Sequence, residues 1–129
     1  MTNTPNGQRS ALVTGANSGL GFEAARQLAE IGYESIVLAC RTEAKADQAR
    51  AQLVELTGVD PFSTLEVDVA ELGSSGDAAV ELVRHGDGFD SVLLNAGMLP
   101  NSLDRTNDGI EMCFAASLVG HHIITNTLL

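Results

Sequence analysis

The sequence predicts a doubly wound α/β fold built on a parallel sheet of about four strands in the order 3-2-1-4. Two observations predict it. Short apolar strands alternate with helix-patterned segments along the 129 residues, which implies parallel pairing with right-handed crossovers. Residues 14–21, Thr-Gly-Ala-Asn-Ser-Gly-Leu-Gly, stand between the first of those strands and the first helix. There a tight glycine turn feeds directly into a helix N-terminus.

The elements follow in order. Ser10–Val13 is the first strand. Leu20–Ile31 follows as a helix with Leu20, Ala24, Ala25, Leu28 and Ile31 on one face, ended by Gly32. Ser35–Ala39 is a second apolar strand. Thr42 caps a polar-faced helix through about Leu56, with Leu53 and Leu56 facing inward and Gly58 closing it. Thr64–Val69 alternates as a third strand, Asp77–His85 is a shorter helix, and Ser91–Leu94 is a fourth strand. A loop at Gly97–Asp108 leads into a last helix from about Gly109 to the C-terminus. Residues 1–8, rich in Thr, Asn, Pro and Gly, are expected to be flexible, and residues 9–129 to form one domain.

Composition narrows the function classes. With 44% hydrophobic and 19% charged residues the chain reads as a soluble globular domain. Seventeen acidic against seven basic residues give a formal net charge of −10. Bulk electrostatics therefore oppose nucleic acid and anionic membrane surfaces. Any phosphate ligand has to be held by locally placed amides and arginines. Cys40 and Cys113, in a predicted strand and a predicted helix, form no cysteine framework, which suits a reduced, cytoplasmic compartment. No segment approaches the roughly 18 consecutive apolar residues of a membrane span. The N-terminus lacks a charged-then-apolar leader pattern. No metal-ligating cluster is predicted.

The predicted strand order brings four segments to one rim, at the carboxyl ends of the strands. These are the glycine turn, the end of strand two, Asp68-Val69, and Asn95-Ala96-Gly97. Unpaired N–H groups at the start of the first helix, with the helix dipole, favour an anion such as a dinucleotide pyrophosphate. An NAD-selecting site of this architecture places a carboxylate at the end of strand two for the ribose 2′-hydroxyl. Here the segment reads Leu38-Ala39-Cys40-Arg41. Arg41 matches a 2′-phosphate instead, so NADP(H) is preferred over NAD(H). Lys45, one helical turn later, is read as a surface lysine. Asp68 has two readings, as a cap of the following turn or as an adenine contact.

The octet Thr14–Gly21 matches TGxxxGxG, and Leu94-Asn95-Ala96-Gly97 matches an NAG motif after strand four. With Asp68-Val69 as the acidic–apolar pair after strand three, the chain resembles the short-chain dehydrogenase/reductase family over nearly its whole length. Asp108-Gly109-Ile110-Glu111-Met112 and Gly120-His121 further resemble its retinol-dehydrogenase and protochlorophyllide-reductase-like branch. The resemblance implies a Rossmann-like, NADP-binding half-fold. It assigns Gly15, Asn17, Ser18, Gly19, Leu20 and Gly21 to the pyrophosphate turn, and Asp68 and Val69 to adenine. Asn95, Ala96 and Gly97 fall on the ribose and nicotinamide side.

The same resemblance implies a catalytic Ser on a fifth strand and a Tyr-x-x-x-Lys helix, and the 129 residues stop before both. The only tyrosine is Tyr33 and the only lysine is Lys45. Where the family reads Asn-His-x-Gly-His, this chain reads Ser117-Leu118-Val119-Gly120-His121. The expectation is an NADP(H)-binding protein whose sheet is truncated before strand five and which lacks the classical catalytic residues. Two alternatives stand beside it. One is a non-classical NADP-dependent hydrolase or reductase using Ser117, His121, His122 or Asp104, with Ser117 and His121 as the candidate pair. The other is an N-terminal fragment of an ordinary NADPH-dependent carbonyl reductase. Ser91–Leu94 would form a bare apolar sheet edge. The last helix carries Phe114, Leu118, Ile123, Ile124, Leu128 and Leu129. A homo-oligomer through that helix, that edge, or both is expected.

Overall fold

β1 (Ser10–Thr14), β2 (Ser35–Cys40), β3 (Phe62–Glu66) and β4 (Ser91–Leu93) form one parallel sheet in the order β3-β2-β1-β4, as the sequence predicts. This computed structural model describes residues 8–84 and 88–129. Residues 1–7 of the expected flexible segment, and the expected helix end at His85, lie outside the described residues. Between the strands run α1 (Gly19–Glu30), α2 (Glu43–Thr57) and α3 (Leu72–Arg84). After β4 come α4 (Met112–Phe114), a π-helical stretch (Ala115–Val119) and α5 (Gly120–Leu128). The described residues fall into two compact units, one within Met1–Glu66 and Asp87–Asn95, the other within Val67–Gly86 and Ala96–Leu129.

The first unit holds the sheet, α1 and α2. Every residue of β1 is buried, which is why it reads as a continuous apolar run. Val13, Ile36, Leu38 and Cys40 form the core with Ala25 and Ala29 of α1 and with Ala46, Ala49 and Leu53 of α2. Full burial of Leu53 contributes about 1.5–3 kcal/mol by area removed from water.

Two inward faces differ from expectation. α1 buries Gly21, Ala25 and Ala29, while Leu20 is 82% exposed and Ile31 also faces out. Small residues at every fourth position let this helix lie close against the turn and strands, so apolar bulk is a poor guide to its buried side. On α2, Ala46, Ala49 and Leu53 are buried but Leu56 is 61% exposed. Thr57, half-buried one turn after Leu53, donates its hydroxyl to the Leu53 carbonyl at 2.7 Å. Both predicted ends of α2 hold. Thr42 Oγ1 accepts from the Lys45 amide at 3.2 Å, and Gly58 closes the helix at φ +73° with its N–H on Val54.

Strand limits also shift. β1 extends to Thr14, β2 to Cys40, and β4 ends at Leu93. β3 runs over Phe62–Glu66, not Thr64–Val69, because its ladder partner β2 ends at Cys40, opposite Glu66. Asp68 and Val69 therefore lie in the turn beyond the strand.

In the second unit α3 packs along α5. α3 starts at Leu72, ahead of the expected Asp77, and buries Ser75, Ala78, Ala79 and Leu82. Its Gly73-Ser74-Ser75-Gly76 opening has low helix propensity, and tertiary packing overrides that preference. The last helical segment starts at Met112, not Gly109. Residues 104–111 instead form a tight turn in which Thr106 donates its amide to Ile110 at 2.8 Å and Gly109 takes φ +78°. Glu111 then caps the helix start, accepting from the Cys113 and Phe114 amides at 3.0 and 2.8 Å. Ile124 is buried, whereas Phe114, Leu118 and Leu129 are exposed. Among the described residues no helix is long and apolar enough to cross a membrane.

The left-handed Gly58 gives the first prediction. Gly58→Ala forces an L side chain into positive φ and should lower stability by about 1–2 kcal/mol in urea denaturation. An unchanged midpoint would show that the α2 terminus does not need that conformation.

Candidate functional site

The turn between β1 and α1 is held from both neighbouring strands. Gly15 donates its amide to the Ala39 carbonyl of β2 at 2.8 Å. Just past β4, Asn95 donates its amide to Thr14 Oγ1 at 2.9 Å and its carboxamide nitrogen to the carbonyls of Thr14 and Gly15 at 3.1 and 3.3 Å. The carboxamide nitrogen of Asn95 is thus spent on the turn itself. Thr14, which sequence reasoning did not single out, receives Asn95 and donates onward to the Leu93 carbonyl at 3.4 Å. Its placement directly before Gly15 was the available signal.

The glycines of the turn do different work. Gly15 and Gly19 take φ +64° and +57°, a region that favours glycine. A Cβ at Gly19 would meet nothing within 4 Å, so the turn is open there. A Cβ at Gly21 would stand 2.3 Å from the Gly15 carbonyl oxygen and 2.5 Å from Asn95 Nδ2, so the turn is closed there. Ser18 is the N-cap of α1, yet its side chain makes no capping hydrogen bond and the first turn holds no acidic residue. Those first-turn amides remain for an external acceptor, and the dipole favours an anionic one. The open face at Gly19 and the uncapped amides fit a phosphate group.

At the end of β2, Cys40 is buried and Arg41 is exposed. Burial pushes the Cys40 thiol up, while the backbone amides of Ala16 and Asn17 and the charge of Lys45 pull it the other way. Arg41 forms no ion pair among the described residues. A cavity of about 130 Å³ lined by Asn17, Lys45, Gln48, Ala49 and Gln52 joins the turn to α2. It contains one cation and no carboxylate. Lys45 is exposed, as expected of a surface lysine, and borders the turn. Gln48 and Gln52, missed in the sequence, share its helix face at spacings of three and four.

In the second unit Asp68 stands in a knitted turn. Its amide donates to Ser74 Oγ at 2.8 Å, its Oδ1 accepts from the Ala70 amide at 3.0 Å, and its carbonyl accepts from the Glu71 amide at 3.0 Å. The turn-capping role is thus present, with the side chain half-exposed. Val69 is buried, Ala96 half-buried and Gly97 exposed. A Cβ at Gly97 would lie 3.7 Å from Ser117 Oγ. Ser117 is exposed on the π-helical stretch, 3.9 Å from Cys113 Sγ. His121 is buried, with Nδ1 3.2 Å from the Ser117 carbonyl oxygen. That contact reaches main chain, whereas a nucleophile–base pair would join the ring to the hydroxyl. His122 and Asp104 are exposed.

Comparison with known proteins agrees with this geometry. The family described as short chain dehydrogenase matches residues 9–129. Retinol dehydrogenase 14 of mouse (Mus musculus) is 34% identical over 131 residues, covering 94% of this chain and 39% of that protein. The chloroplastic protochlorophyllide reductase of Chlamydomonas reinhardtii is 34% identical, covering 95% of this chain and 31% of its own. Among solved structures, L-sorbose reductase from Gluconobacter frateurii, complexed with NADPH and L-sorbose, superposes with a TM-score of 0.75 at 28% identity. That match covers 94% of this chain and 46% of the reductase. The chain therefore spans less than half the length of the relatives it matches.

The buried thiol carries a pH dependence. A folded-state pKa above the unfolded value means that the native protein holds its proton longer, so stability is complete below about pH 8.5 and declines as pH rises beyond it. Urea midpoints from pH 7 to 10 should fall more steeply for the unsubstituted chain than for Cys40→Ala. Parallel slopes would contradict a buried, protonated Cys40.

Proposed function

The chain belongs to the short-chain dehydrogenase family, and on that premise we propose that it binds NADP(H) in preference to NAD(H). The observation carrying this reading is the end of β2, where neutral, buried Cys40 is followed by exposed Arg41 beside a carboxylate-free cavity that contains Lys45. A carboxylate there would repel a 2′-phosphate; a guanidinium pairs with it. The Gly15–Gly21 turn takes the pyrophosphate on backbone amides, including those of Asn17, Ser18 and Leu20. Asp68 and Val69 take the adenine. Ala96 and Gly97 flank the ribose and nicotinamide side, and Asn95 serves chiefly by fixing the turn. The NADPH-complexed L-sorbose reductase supports a nicotinamide cofactor at such a turn.

When bound, NADPH supplies a hydride; the residues of this chain bind and orient it. Tyr33 OH lies 2.9 Å from Ser91 Oγ, and Lys45 belongs to the cavity at α2. The activity proposed for these residues is therefore binding. A second reading, in which the same site holds the reductant of a carbonyl reductase, is favoured by the 39% span of retinol dehydrogenase 14. The Ser117–His121 hydrolase reading is not favoured by the main-chain contact between them. The reading includes a reducing, cytoplasmic setting, in keeping with two unpaired cysteines. It also includes a homo-oligomer. β4 is an edge strand with Val92 and Leu94 exposed, and Phe114 and Leu118 are exposed in the last helical segment.

Calorimetric titration tests the cofactor assignment. Arg41→Ala should weaken NADPH binding by about 1.5–3 kcal/mol, roughly ten- to hundredfold in Kd, and leave NADH nearly unchanged. Equal losses for both cofactors would overturn the 2′-phosphate role. Sedimentation at micromolar concentration should give a dimer or larger species, dissociated by Phe114→Glu with Leu118→Glu. A monodisperse monomer in the unsubstituted chain would end the oligomer proposal.

A further inference from the structure

Gly120 does something that its backbone conformation does not require. It is buried at φ −60° and ψ −45°, ordinary helical values open to any residue. Space is the constraint. A Cβ there would stand 1.9 Å from the Val69 carbonyl oxygen, 2.7 Å from its carbonyl carbon and 2.9 Å from its Cα. All three are main-chain atoms, so no side-chain rotation relieves the overlap. In the same unit, a Cβ at Gly73, Gly76 or Gly109 would meet nothing within 4 Å, and one at Gly97 only ordinary contact.

The segment pressed against Gly120 carries Asp68. No strand ladder holds that segment, because β3 ends at Glu66. Its place is set by the three hydrogen bonds of the turn at 68–71 and by the seat of Val69 on α5. Movement of the Val69 main chain therefore carries Asp68 with it. Asp68 Oδ2 accepts no hydrogen bond among the described residues, which leaves it for an exocyclic amino donor.

We propose that Gly120 is a positioning residue for adenine recognition: by admitting the Val69 carbonyl against α5, it sets where the Asp68 carboxylate stands. The inference rests on the reading of Asp68 as the adenine contact. The ligand chemistry is a 6-aminopurine, read through its amino group by a carboxylate.

The test compares NADPH with reduced nicotinamide hypoxanthine dinucleotide phosphate, whose 6-oxo group replaces the amino group. Both are titrated calorimetrically into the chain. The unsubstituted chain should bind NADPH about tenfold or more tighter, the scale of a hydrogen bond to a charged group. In Gly120→Ala that ratio should fall towards one while the preference for NADPH over NADH persists. General loss of stability would not separate those two ratios. Gly76→Ala, in open space, should keep both. Ser74→Ala removes the hydroxyl on the Asp68 amide without adding bulk, and should lower the adenine ratio severalfold. A full adenine ratio in folded Gly120→Ala overturns the proposal. If Gly120→Ala does not fold by circular dichroism, Ser74→Ala decides: a lowered ratio supports a position-dependent Asp68, and an unchanged one overturns it. An unsubstituted chain that ignores NADPH, or the purine amino group, overturns the adenine reading and this inference with it.

Discussion

The Asn95 carboxamide reaches across 81 residues of sequence to the carbonyl of Thr14, and beside it to that of Gly15. Those two bonds hold the shape of the β1–α1 turn from the end of β4. Each contributes only about 1 kcal/mol net, yet leaving those carbonyls unmatched in a part-buried place would cost more. Much of the first unit depends on the arrangement. Gly21 sits against the same Gly15 carbonyl that accepts from Asn95, and Gly21 begins the small-residue face of α1. The turn is closed at Gly21 and open at Gly19.

For an acidic chain to hold an anion, as proposed, its own carboxylates have to be kept away from one place. The two helix starts of the first unit show how. α2 begins with Glu43 in its first turn, with the Thr42 hydroxyl on the Lys45 amide and Glu66 Oε2 accepting from the Glu43 amide at 3.3 Å, so its N-terminus is already supplied with acceptors. α1 has neither an acidic first turn nor a side-chain cap. Cys40 adds a side chain kept protonated by burial where an ionised group would oppose a phosphate. The contrast lies in a few atoms, since the overall charge of −10 points the other way.

Legibility in the sequence followed the kind of constraint. The turn at 14–21 was readable because backbone geometry demands glycine there whatever packs around it. Strand order was readable because alternating elements leave few right-handed arrangements. Leu20, Ile31 and Leu56 were misread because the buried faces of α1 and α2 consist largely of alanine and glycine, and apolar bulk marked the wrong side. The start of α3 was hidden by a Gly-Ser run that packing makes helical. Asn95 could be picked out by its Asn-Ala-Gly motif, but its bond to the turn could not, because the bond depends on the register of β1 with β4. Gly120 was equally opaque, since its partner is a carbonyl in a distant turn.

The π-helical stretch at Ala115–Val119 makes residue number itself a structural quantity. A π-turn accommodates one residue more than the α-helix around it. The wider turn takes up that residue locally, whereas the same residue wound as regular α-helix would rotate everything after it by about 100°, the angle per residue at 3.6 residues per turn. With regular α-helix throughout, His121 or Val119 would confront the Val69 carbonyl in place of Gly120. The wide turn is therefore what keeps Gly120 on the face that meets Val69.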